Sequence, residues 1–84
     1  MREALGAIAR WRHEGLRSAI ARVVAVEGSG PRELGAVMAV NERGEVVGSV
    51  SGGCVEGAVV AEALGILEGG GVPRLVTFGI ADDD

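Results

Sequence analysis

The stretch "GAVMAVNERGEVVGSV", residues 35–50, has the pattern of two short strands joined by a tight turn. Valine recurs through residues 35–40 and again through 45–50, as is typical of β-strands. Between them, "NERG" (41–44) begins with asparagine and ends with glycine, which suits a type I turn. The pattern therefore predicts an antiparallel β-hairpin.

The segments on the N-terminal side of this hairpin predict another strand and a helix. Residues 18–28 are rich in β-branched residues and apolar on both faces, which is typical of a central strand covered on both sides. Residues 2–15 have helical periodicity and end at a glycine, Gly15. The apolar face predicted for this helix consists of Ala4, Leu5, Ile8 and Trp11.

The segment after the hairpin predicts a second helix, from about residue 54 to 68, which the glycines 69–71 terminate. Residues 73–79, "PRLVTFG", predict a fourth strand, and the helix before it could serve as a crossover to a parallel neighbour. The apolar face of the helix consists of Val55, Val59, Val60, Ala63, Leu64 and Leu67.

Together these elements predict an α+β fold formed by a single domain over residues 1–84. We expect a small mixed or antiparallel sheet of about four strands. The N-terminal helix and the helix after strand three should pack on this sheet.

Composition and charge limit the classes of function. The chain has 84 residues, a net charge of −4 and no basic run, which argues against binding to nucleic acid or to an anionic membrane. Its single cysteine fits a reducing compartment, and the sequence has neither a signal-peptide core nor a long apolar span. We therefore expect a cytoplasmic protein. Because 48% of the residues are hydrophobic, we also expect a homo-oligomer, such as a dimer, or a docking surface.

Two glycine-containing loops could carry chemistry. In "GSGPRE" (28–33), Gly28 and Gly30 permit a turn whose amides point at one anion, and Arg32 offers a planar cation suited to phosphate or carboxylate. The alternative is a rigid loop between strands with a solvated arginine.

The second loop is "GSVSGGCVE" (48–56), in which Gly52 and Gly53 precede the second helix. The first amides of a helix are unpaired and favour an anion. Cys54 lies in this first turn, where the thiolate form is favoured. The alternative is that Cys54 is a small buried residue, as free cysteines often are.

Glu56 falls in the middle of the apolar face of that helix, together with Ala63 and Leu67. One interpretation is a capping role, in which Gly53 is the N-cap and Glu56 reaches back to a free amide. The other is an inward carboxylate that faces Arg32 across a binding site.

Other kinds of site have weaker support. Gly28, Gly30 and Gly35 do not have the spacing of a dinucleotide-binding motif. One cysteine and one distant histidine, His13, cannot build a closed zinc site. The aspartates 82–84 could attract a hard cation, although a terminal acidic run is usually solvated.

The two loops occur within longer signatures, "GSGPRELGAVMAV" (28–40) and "GEVVGSVSGGCVEGAVVAEAL" (44–64). From about residue 18 to 67 the chain resembles the N-terminal domain of the XdhC/CoxI family, accessory proteins of xanthine dehydrogenase and related molybdenum hydroxylases. The resemblance implies transient binding of the molybdenum (molybdopterin) cofactor and assistance in its maturation or insertion. It implies a cofactor chaperone rather than a turnover enzyme, so no catalytic residue is predicted.

The resemblance also implies a set of cofactor-binding residues. Cys54 is in addition a candidate contact for the cofactor's molybdenum, a soft centre that could use a thiolate. Gly30 and Val37 depart from the family pattern, in which serine and a basic residue are common. The implied binding residues are Gly28, Ser29, Pro31, Arg32, Gly35, Gly52, Gly53, Cys54 and Glu56.

The partners that the resemblance implies are a molybdenum hydroxylase subunit and a separate chain that carries the Rossmann-like domain, in addition to the second copy of the chain expected from composition. Full-length relatives have that domain at the C-terminal side, and we expect it to be absent from residues 1–84. The alternative function is a non-catalytic oligomerisation or docking module with no cofactor site of its own.

Overall fold

A computed structural model describes residues 2–24, 35–50 and 56–76. Within these residues the three strands form one antiparallel sheet in the order β1-β2-β3. The predicted α+β class, with a helix at the N-terminus and another after strand three, is confirmed. The elements in chain order are α1 (Arg2–His13), β1 (Ser18–Arg22), β2 (Val37–Asn41), β3 (Val46–Gly48) and α2 (Glu56–Glu68).

Within the described sheet the central strand is β2, and not the strand that begins at Ser18, which the sequence predicts to be central. β1 lies at an edge of the described sheet and pairs with β2 from Ser18 opposite Asn41 to Arg22 opposite Val37. All five residues of β2 are buried, whereas Ile20 of β1 remains 48% exposed. Apolar residues on both faces therefore do not by themselves identify the central strand.

The sheet is covered by one helix on each face, because successive residues of β2 point to opposite sides. On one side, Val37 and Ala39 pack against Ala4, Ala7 and Trp11 of α1. On the other side the contacts come from α2 and from the chain after β3. This second cluster consists of Met38, Val40, Val50, Val59 and Ala63.

The buried face of α1 differs from the predicted one at Leu5. Leu5 is 53% exposed, while Ala7 is fully buried and Ile8 is partly buried against the cluster. The helix contacts the sheet through alanines and Trp11, which permits a close approach and leaves Leu5 outside the contact. The helix ends at His13, two residues before the predicted stop at Gly15.

The predicted hairpin is confirmed. β2 pairs antiparallel with β3, and the amide of Gly44 donates to the carbonyl of Asn41 at 2.9 Å. The Asn41 side chain is fully buried, and its Oδ1 accepts from the amides of Arg43 and Glu45 at 2.9 and 3.1 Å. The asparagine thus satisfies the backbone of the turn that it begins.

The predicted fourth strand is wrong for the residues that the structure describes. Residues 71–76 are irregular and exposed, and Val72 and Leu75 are 72% and 81% exposed. Pro73 has no amide to donate to a sheet, and Arg74 forms an ion pair with Glu62 of α2 at 3.3 Å. The described sheet therefore has three strands and no parallel crossover, and residues 77–79 of the predicted strand lie outside the described ranges.

α2 ends where the glycine run predicts. The amide of Gly69 donates to the carbonyl of Gly65 at 2.9 Å, and that of Gly71 donates to Ile66 at 2.8 Å. These bonds satisfy two of the carbonyls near the C-terminus of the helix. Neither α1 nor α2 has the length and apolar character of a membrane-spanning helix, and the described residues contain no further helix.

Candidate functional site

The topology anchors the two signature loops at the same end of the sheet. Because the strands are antiparallel, β1 and β3 both run towards the end at which β2 begins. Residues 25–34 connect β1 to β2, and residues 51–55 connect the chain after β3 to α2. The described residues that flank these loops, Val24, Gly35, Val50 and Glu56, therefore belong to one end of the molecule.

The flanks of the first loop are held together by backbone hydrogen bonds beyond β1. The amide of Gly35 donates to the carbonyl of Val23 at 2.8 Å, and the amide of Val23 donates to Ala36 at 3.0 Å. Gly35 has a φ of +86°, a conformation that L side chains rarely adopt. This predicted site residue thus lies in a closed stem at the foot of the first loop.

The chain before the second loop is held by close packing. Gly48 has a φ of +90°, and a Cβ placed there would lie 2.5 Å from the carbonyl oxygen of Val37. Val50 is only 5% exposed and packs in the cluster beneath α2. The residue between them, Ser49, is therefore positioned by both of its neighbours.

Glu56 occupies the position that the helical wheel predicts. It is half-buried at the first residue of α2, on the same side as the buried residues Ala63 and Leu67. Its Oε2 accepts a hydrogen bond from the hydroxyl of Ser49. The contact of Ser49 with Glu56 is not apparent from the sequence, because two residues on either side of a loop have no signature of contact in their spacing.

The remaining predicted site residues lie outside the described ranges, so the contact between Glu56 and Arg32 and the role of Cys54 stay predictions. Within the described part of the chain, no group of three His, Cys, Asp or Glu residues could hold a metal ion. The predicted site residues that lie outside the described ranges are Gly28, Ser29, Pro31, Arg32, Gly52, Gly53 and Cys54.

The described part of the site fits a ligand that has N–H donors. The Glu56 carboxylate lies at the foot of the second loop, where its Oε2 accepts a hydrogen bond from Ser49 Oγ. A carboxylate accepts hydrogen bonds and donates none when ionised. The amino and ring N–H groups of a pterin are suitable donors for it.

The model of the XdhC and CoxI family matches residues 11–79, which includes both signatures and both sets of flanking residues. The chain belongs to this family. It is also similar to the molybdenum cofactor insertion chaperone PaoD of Escherichia coli (strain K12), with 42% identity over 65 residues. The matched region is 77% of this chain and 20% of that protein, so the chain spans about a fifth of the relative's length.

A cleft at the opposite end of the sheet is separate from the family signatures. Its lining includes Arg17 and Ile20 of the α1–β1 region, Leu67 of α2, and Pro73 and Arg74 beyond it. The cleft thus does not adjoin the two signature loops. Among the described features, those loops are flanked by the stem at Gly35 and by the contact between Ser49 and Glu56.

Proposed function

We propose that this chain binds the molybdenum cofactor between its two signature loops and assists insertion of the cofactor into a molybdenum hydroxylase of the xanthine dehydrogenase type. The observation that carries the proposal is the common position of the loop anchors at one end of the sheet. Membership of the XdhC and CoxI family and the similarity to an insertion chaperone support it.

Each chemical type in the motif has a role in this proposal. Arg32 and the start of α2 bind the phosphate of the cofactor, since a guanidinium and helix amides both favour a dianion. Glu56 accepts hydrogen bonds from the pterin or from Arg32. Cys54 offers a thiolate to the molybdenum, the soft centre at which the cofactor's redox chemistry takes place when it is bound in an enzyme. The motif glycines allow the backbone to approach the ligand closely.

The test measures retention of cofactor released from a purified molybdenum hydroxylase. After anaerobic ultrafiltration, molybdenum is quantified by mass spectrometry and pterin by fluorescence of its oxidised form. We expect the wild-type protein to retain both in equal amounts and not to retain molybdate alone. Loss of a charged hydrogen bond in Arg32→Ala should weaken binding by about tenfold or more. Arg43→Ala, in the hairpin turn at the other end of the sheet, is the matched control.

Alkylation of the single cysteine gives a second readout in the same samples. Bound cofactor should slow the reaction of Cys54 with iodoacetamide, because the thiolate is then occupied or covered. A wild-type protein that retains neither molybdenum nor pterin would contradict the proposal and favour a docking module. Equal retention by Arg32→Ala and Arg43→Ala would remove Arg32 from the site.

A further inference from the structure

We infer that Ser49 is a positioning residue, which directs the carboxylate of Glu56 towards the bound cofactor. The inference rests on the proposed function and adds to it a residue outside the motif positions carried over from the family. It is drawn from the hydrogen bond that Ser49 Oγ donates to Glu56 Oε2 across the second signature loop.

The position of Ser49 is set by the residues on either side of it. Gly48 lies so close to the carbonyl of Val37 that no other residue fits there without a shift of the backbone. Val50 is buried against the sheet-facing side of α2, in contact with the cluster that includes Val59. Because both neighbours are held, the Ser49 hydroxyl stays at the point where the chain after β3 meets the start of α2.

The backbone of Glu56 is held equally firmly, but its side chain is long. Val59, Ala63 and Leu67 are 5–7% exposed and fix α2 on the sheet. A glutamate on such a helix still has several rotamers, and ordering them on binding costs free energy. A hydrogen bond from a hydroxyl to a carboxylate is charge-assisted and selects one of them.

The hydrogen bond from Ser49 uses only part of the acceptor capacity of the carboxylate. Oε2 accepts from Ser49 Oγ, and an ionised carboxylate has about four lone-pair sites on its two oxygens. The carboxylate is thus held from the β3 side and keeps acceptor capacity for a ligand. Ser49 itself does not need to touch the cofactor for this role.

The first test compares cofactor retention among variants of Ser49 and Glu56. Ser49→Ala should weaken binding about threefold to tenfold, the range of one hydrogen bond. Ser49→Thr keeps the hydroxyl and should restore binding. Because Ser49 acts through Glu56, the double variant Ser49→Ala/Glu56→Ala should bind no more weakly than Glu56→Ala alone. Ser18→Ala, at the other end of the sheet, is the matched control.

The outcomes separate this inference from the proposed function. If Glu56→Ala weakens binding but Ser49→Ala does not, or if the two effects are additive, the role of Ser49 is overturned and the proposed function stands. If Glu56→Ala binds like the wild type, both the use of Glu56 and the role of Ser49 fail.

The second test needs no cofactor. Three-bond scalar couplings measured by NMR should show one dominant side-chain rotamer of Glu56 in the wild type and in Ser49→Thr. They should show rotamer averaging in Ser49→Ala, although its unfolding midpoint stays near that of the wild type. Averaged couplings in the wild type would overturn the inference even if the protein retained no cofactor.

Discussion

At the scale of single residues, two glycines of the hairpin have similar backbone conformations but different surroundings. Gly44 and Gly48 have φ values of +84° and +90°. Nothing lies within 4 Å of a Cβ placed on Gly44, whereas one on Gly48 meets the carbonyl oxygen of Val37 at 2.5 Å. The requirement for glycine is conformational at Gly44 and both conformational and steric at Gly48.

This difference predicts the effects of two alanine substitutions. Gly44→Ala should lower the free energy of unfolding by about 1 kcal/mol, because a residue with a Cβ must then adopt the left-handed backbone conformation. Gly48→Ala should lower it by about 3 kcal/mol, because the backbone of β2 must also move. Urea denaturation of the two variants measures both values. Equal losses would show that the close approach of β3 to β2 does not constrain the protein.

At the scale of elements, Arg17 joins the C-terminus of α2 to the sheet. The last turn of α2 contains no basic residue, and Arg17 Nη1 donates to the carbonyl of Leu67 at 2.6 Å. The Arg17 backbone also exchanges hydrogen bonds with Glu42 of the hairpin turn, at 2.7 and 2.9 Å. A cation from another part of the chain thus complements the negative end of the helix dipole.

We predict that Arg17→Ala lowers the free energy of unfolding by about 1 kcal/mol, because it removes a charged hydrogen bond at a partly exposed helix end. Arg17→Lys should recover part of this loss, since it keeps the positive charge. The measurement is urea denaturation, with Arg43→Ala as the control expected to change stability by less than about 0.5 kcal/mol. A similar loss in Arg43→Ala would point to overall charge instead of the Leu67 contact.

At the scale of the whole molecule, β2 is shared by the two layers of core. Val37 and Ala39 belong to the cluster beneath α1, while Met38 and Val40 belong to the cluster beneath α2. Trp11, the only tryptophan of the chain, lies in the first cluster. Its fluorescence therefore reports the layer that α2 does not touch.

We predict that Val59→Ala, in the α2 layer, lowers stability by about 2 kcal/mol through lost burial. The Trp11 fluorescence transition and the far-UV circular dichroism transition should shift to lower urea by the same amount, since one strand carries both layers. The exposed Leu5→Ala variant is the control for loss of an aliphatic side chain. A Trp11 transition unmoved by Val59→Ala would mean that the two layers unfold separately.

The sequence determined most of the elements and the family of this protein. The Asn41–Gly44 turn identifies the hairpin because few residues satisfy its backbone, and helical periodicity places Glu56 with Ala63 and Leu67. Both motif loops could likewise be found by reading along the chain. These features are local, so neighbouring residues contain the information that they need.

Only the tertiary structure decided which strand is central, that Leu5 and residues 71–76 remain exposed, and that Ser49 contacts Glu56. Apolar residues in β1 and β2 look alike in sequence, and their burial depends on which strand has a neighbouring strand on each side in the described sheet. The contact between Ser49 and Glu56 arises because β3 and α2 are packed independently at the two ends of a loop. Such contacts depend on packing between distant elements, which the pattern of residues within each element does not encode.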